Sequence, residues 1–146
     1  MMNNLTVTDI KSVTVEQNAK LMEAINKIRN NQENMIVPCD IDTQHFIYAG
    51  CYVRTCFLPK GTMIGSALIK IPTVVIVSGD AVVTNGDTRT RYQGYKILRG
   101  SALRRGLWFA NEDTYITMFF STKAKNTKDA EKEFTDEWEA LLEAEE

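Results

Sequence analysis

The sequence predicts a mainly-β fold: one barrel or sandwich of short strands with an amphipathic helix at each end. From Met35 to Ser121, short β-rich runs alternate with turn signals. On either side of that stretch, apolar residues recur at helical spacing. A chain of 146 residues that is 44% apolar and 25% charged can also bury a core of its own. The expected organisation is a single domain, 1–146. It comprises an N-terminal arm and helix (1–34), a barrel (35–121) and an acidic C-terminal helix (122–146).

Met1 to Ser12 has weak periodicity and reads as a loose arm. Thr14 and Gln17 have the spacing of a capping box, in which the hydroxyl caps the helix and the amide reaches back. Leu21, Met22, Ile25 and Ile28 follow on one face, which predicts a helix from about Val15 to Asn30. Among the β runs, Cys51 to Leu58 is closed by Pro59-Lys60-Gly61, and Met63 to Ile71 is broken by Pro72. Val74 to Val77 leads to an expected turn at Ser78-Gly79-Asp80, and Ala81 to Thr84 runs into the hairpin signal Asn85-Gly86. Further strands are expected at Arg89–Tyr92, Tyr95–Leu98, Leu107–Ala110 and Tyr115–Ser121. Regular short strands of this kind build sandwiches and barrels. The last helix is expected to be capped by Asn126 or Thr127. Its apolar stripe is Ala130, Phe134, Trp138, Leu141 and Leu142.

Composition narrows the chemistry. No apolar run reaches the length of about 18 residues that a membrane helix needs, and the N-terminus lacks a signal-peptide pattern. Cytosolic synthesis and no membrane partner are the expectation. Cys39, Cys51 and Cys56 make an odd count, which argues against a disulfide framework, and His45 is the sole histidine. A Cys/His zinc site therefore cannot be assembled from the usual pattern. The net charge of −2 divides unevenly: Thr127 to Glu146 holds nine acids and two bases, so the rest of the chain is basic.

Three groups of residues then resemble a known family. They are Gln44-His45-Phe46, Gly50-Cys51-Tyr52-Val53-Arg54 and Pro59-Lys60-Gly61-Thr62. Gly65, Lys70, Ser78-Gly79-Asp80, Arg104-Arg105-Gly106 and Glu112-Asp113-Thr114 continue the pattern. In order and spacing this is similar to small cupin-like, RmlC-like jelly-roll proteins encoded by tailed bacteriophages, over roughly His45 to Ser121. The resemblance implies a cupin jelly-roll barrel in a phage accessory protein. Such a protein would sit in the host cytoplasm during infection or, alternatively, in the virion. Metal-binding cupins draw two histidines and a glutamate from their first motif. Laid from Gly61, those positions fall on Ala67, Ile69 and Thr73 or Val74, with Gly79 closing the motif. The phage relatives often carry histidine where this chain has Ile69 and Thr73. The histidine of the second motif falls near Arg105. An apolar side chain offers a cation no lone pair, and a protonated guanidinium repels it. The expectation is no metal, no cofactor and no catalytic residue, which leans against an enzyme.

The positive lead is basic and aromatic. Arg89, Arg91, Lys96, Arg99, Arg104 and Arg105 lie between Thr88 and Ala110 with no acid among them. Tyr92, Tyr95 and Trp108 are interleaved. Arginine forks hold phosphate and aromatic faces stack on bases. The expected ligand-binding set is thus Arg89, Arg91, Tyr92, Tyr95, Arg104, Arg105 and Trp108, with His45 as a further contact. The competing reading pairs these arginines with the acidic terminal helix. Duplex nucleic acid is disfavoured, because no recognition motif is visible and the net charge is negative. Three functions follow: a non-catalytic protein binding a small nucleotide-like anion or an acidic partner, a virion-associated assembly protein, and a cupin-type isomerase or hydrolase. Val74 to Val77 is apolar on both faces, so one face needs cover. That predicts a homodimer or higher oligomer.

Overall fold

The computed structural model describes residues 8–30 and 41–139. Cys39, Leu141 and Leu142 lie outside them. The elements are β1 (Thr8–Ile10), α1 (Val15–Asn30), β2 (Asp42–Tyr48), β3 (Cys51–Leu58), β4 (Met63–Gly65), β5 (Thr73–Asn85), β6 (Thr88–Gly100), β7 (Leu107–Ala110), β8 (Thr114–Ser121) and α2 (Thr127–Phe134). Among the described residues, eight strands form one sheet in the order β1-β6-β5-β8-β3-β2. The short β7 joins β5, and β4 joins β7. This is a mainly-β jelly roll with two helices. Neither helix is long and apolar enough to cross a membrane, among the described residues.

α1 forms as its capping box predicts. The Thr14 hydroxyl accepts from Gln17 N at 3.1 Å, and Gln17 Oε1 accepts from Thr14 N at 2.9 Å. Leu21 and Ile25 are buried, and Ile25 lies over Gly65, where a Cβ would come within 2.6 Å of it. One core cluster gathers Val75, Val77, Val83, Leu98, Trp108 and Leu58, among others. A second lies under α2 and includes Tyr52, Ile69, Met118, Phe120, Ala130 and Phe134.

Four expectations need correction. The arm is not wholly loose: Thr8–Ile10 pairs in parallel with Leu98–Gly100, and Ile10 is buried. Ser78-Gly79-Asp80 is no turn but the middle of β5, thirteen residues long and paired throughout with β6. Gly79 stands opposite Gly94 at φ +142, a conformation that only glycine adopts freely, and a Cβ there would lie 2.5 Å from Asp113 O. The strand bends at Gly79 instead of reversing. The hairpin signal shifts by one residue, since Asn85 pairs with Thr88 around Gly86 and Asp87. Of the Met63–Ile71 run only Met63–Gly65 is a strand, with Ile69 bridging Arg104.

The terminal helix also ends early. Asn126 caps it, accepting from Asp129 N at 2.8 Å. Phe134 O is then taken by Lys70 N at 2.8 Å, and Thr135 turns extended at φ −153, ψ 147. A carbonyl given to the loop before β5 is lost to the next helical turn. Trp138 therefore leaves the stripe, and its ring faces Lys132 at 4.6 Å and Lys128 at 5.7 Å.

Candidate functional site

The sheet's inner face at β2 and β3 carries Tyr52 and, by the strand alternation, His45 and Arg54. α2 lies across this end and turns Glu131, 1% exposed, into the barrel. Glu131 Oε1 is 3.3 Å from His45 Nδ1 and 4.0 Å from Arg54 Nη1. Tyr52 Oη lies 3.1 Å from His45 Nδ1 and accepts from Arg54 Nη1 at 3.2 Å. A buried carboxylate is tolerable only beside cations and donors, so this cluster fastens α2 to the barrel. Phe134 completes the closure, with ring centroids 5.7 Å from Tyr52 and 5.9 Å from Phe120.

These geometries bear on the metal positions that the resemblance to cupins marks. Ile69 belongs to the cluster under α2, and Ala67 packs against it. The Thr73 hydroxyl accepts a hydrogen bond from Arg104 Nη2. Val74 has the opposite parity to the buried Thr73 and Val75, so it points to the outer face. The positions where ligands would stand thus hold two apolar side chains, a committed hydroxyl and a guanidinium, a set that does not fit a divalent metal. No group of three or more His, Cys, Asp or Glu that could hold a metal occurs among the described residues. Burial pushes the Cys56 thiol up to about 11, so it is protonated and not nucleophilic near neutral pH.

The eight residues expected to bind a ligand do not come together. Tyr92 and Trp108 are core residues, their ring centroids 6.2 Å apart. Arg89, Arg91 and Tyr95 alternate on the outer side of β6. Arg91 grips Asp80 with two hydrogen bonds, at 2.9 and 2.6 Å, and Asn111 Nδ2 donates to the same carboxylate at 3.0 Å. The Arg91 guanidinium beside it holds the Asp80 carboxyl down at about 2. Arg105 is buried and donates to Asn18 Oδ1 at 2.7 Å, Ser66 O at 3.0 Å and Glu137. It ties α1, the loop after β4 and the acidic C-terminal segment together. Arg104 is buried as well, its guanidinium against Gly100, where a Cβ would lie 2.4 Å from Cζ. It donates to Ser101 O at 2.9 Å and to Thr73, and burial lowers it to about 10, still protonated at neutral pH. His45 stands apart in the Glu131 cluster.

Sequence reasoning missed Tyr52, Arg54 and Glu131 as a group. The available signal was that Glu131 neighbours the buried Ala130 and precedes Phe134 by three positions, which places it near the packed face of the helix.

No family model matches the chain, and no curated protein matches it. Solved structures do. A cupin superfamily protein from Desulfitobacterium hafniense aligns at TM-score 0.47 and 12% identity, over 62% of this chain and 86% of that one. A conserved protein of unknown function from Streptococcus pyogenes aligns at TM-score 0.46 and 16% identity, over 84% and 99%. An uncharacterised protein with a double-stranded β-helix domain from Klebsiella pneumoniae aligns at TM-score 0.49 and 13% identity, over 64% and 84%.

Proposed function

We propose that the chain is a non-catalytic accessory protein of a tailed phage that acts by assembly with protein partners, as a virion-associated component. The observation that carries this reading is the closure of the barrel by the chain itself. Phe134 and Glu131 of α2 fill the end of the interior where Ala67 and Ile69 replace metal ligands. A cupin enzyme needs that space for substrate and that position for donors. The phage assignment draws its support from the motifs between Gln44 and Thr114. The test is quantitative mass spectrometry of purified particles and of the infected-cell cytoplasm. Stoichiometric copies in the particles are expected, and confinement to the cytoplasm would overturn the assembly role.

A second reading is favoured by Arg104. Among the described residues no carboxylate pairs with this buried guanidinium. A small anion such as phosphate would neutralise it, as in the reading of the chain as a protein that binds a small anion. A phosphate-dependent rise in Tm that Arg104→Lys abolishes would establish this reading. No rise would dismiss it.

A further inference from the structure

An antiparallel sheet that faces water on one side alternates apolar-in with polar-out. This sheet does not. Its inner face is set by the buried Tyr52, Val75, Val77 and Met118. The alternate positions point outward and are aligned by the strand pairing. One outer row runs Val74–Phe119–Val53–Phe46. The next runs Ile97–Ile76–Thr117–Thr55. The third runs Tyr95–Ser78–Tyr115–Phe57. None of these side chains is charged. Phe46 is 50% exposed, Ile97 39%, Tyr95 54% and Tyr115 55%. Thr117 and Thr55 spend their hydroxyls on each other at 2.8 Å, and Phe57 packs on Tyr115 with centroids 4.9 Å apart.

Among the described residues, neither helix supplies the cover. α1 already buries Leu21 and Ile25, the latter against Gly65, and α2 buries Ala130 and Phe134 on the other side of the sheet. Along these three rows the middle strands β5, β8 and β3 carry no charge, which excludes a partner recognised there by charge, whether nucleic acid or acidic protein. The outer charge on β5, Asp80, lies beyond Gly79 and is held by Arg91, and the charge next to the rows is on the two flanks. Asp42 closes the third row on β2, and Arg99 closes the first on β6, where it is paired with Asp9 at 2.7 Å. Five strands about 4.8 Å apart and about 25 Å long make a face of roughly 600 Å² before side-chain relief, close to the ~800 Å² per partner of a standard interface.

We infer that a second copy of this chain covers the outer face, in a twofold face-to-face sandwich centred on Thr117. A twofold along β8 lays the flank bearing Asp42 over the flank bearing Arg99 and Tyr95. The two apolar surfaces are identical and so need no other partner. Two sheets packed in this way stand about 10 Å apart with their side chains interleaved. The inference rests on the assembly reading of the chain and names its first partner.

The test is light scattering of the full chain at micromolar concentration, beside Thr117→Arg and the more exposed Ile97→Glu. Wild type is expected at twice the chain mass of 16.5 kDa. Each variant is expected to keep its circular dichroism spectrum and to dissociate at a concentration roughly tenfold higher or more. If Thr117→Arg does not fold, Ile97→Glu decides alone. A monomeric wild type overturns the inference, and so does a folded Ile97→Glu variant that dimerises with unchanged affinity. A monomer still found in particles leaves the assembly reading standing without this dimer. A dimer absent from particles does the reverse.

Discussion

Asp80 shows what a single side chain contributes here. It stands on the outer side of β5, gripped by both arms of Arg91 and by Asn111. A carboxyl held at about 2 in the folded chain, against the ordinary value near 4, stabilises the fold above about pH 4. That stability is lost as pH falls from about 4 to about 2. Asp80→Asn is therefore expected to lower Tm at pH 7 and to flatten the dependence of Tm on pH over that window. An unchanged acid limb would contradict the assignment. Phe134 is the other decisive residue. Its truncation to Ala empties the contact with Tyr52 and Phe120 and is expected to cost about 3–5 kcal/mol in urea unfolding. A cost under about 1 kcal/mol would mean that α2 does not close the barrel. The sequence showed Phe134 as a packing residue of the last helix but not what it packs on, and the role of Asp80 was not visible. Ser78-Gly79-Asp80 has turn composition, and only the pairing of β5 with β6 shows the aspartate as a strand residue with a diagonal arginine partner.

At the scale of elements, legibility followed locality. The bounds of α1 are those expected, because capping box and apolar stripe are both local signals. Cys51–Leu58 and Leu107–Ala110 are also as expected, each bounded by turn residues. The failures are long-range. β1 is three residues held by a strand some ninety positions away, and no local period could announce it. α2 stops because Lys70 takes the Phe134 carbonyl, a tertiary event. Gly79 was misread for a physical reason. A glycine with positive φ suits both a reversing turn and a bent continuous strand, and contact order alone separates them. Gly79→Ala is accordingly expected to destabilise by about 2 kcal/mol or more, since it combines a strained φ with overlap on the Asp113 carbonyl. A loss within about 0.5 kcal/mol, the scatter of an ordinary surface change, would show that β5 does not need the bend.

At the scale of the molecule, the uneven charge is met in part by internal pairing among the described residues. Acids of the C-terminal segment meet bases of the body at Lys70–Asp136 and Arg105–Glu137, and Glu131 lies beside His45 and Arg54. The sequence showed the asymmetry but not which arginine would be spent on it. The ligand set was read from a run of residues, whereas the barrel sends alternate positions to opposite faces and separates them. The residues at the metal positions, Ala67, Ile69, Thr73 and Arg105, were named only through the resemblance to cupins. What fills the space there came only with the position of α2. The central claim is that the chain closes its own barrel and works by assembly. Native mass spectrometry of the protein purified from cells, repeated after denaturation, tests it most directly. An even multiple of the 16.5 kDa chain with no added metal mass is expected. A stoichiometric metal increment lost on denaturation would contradict it.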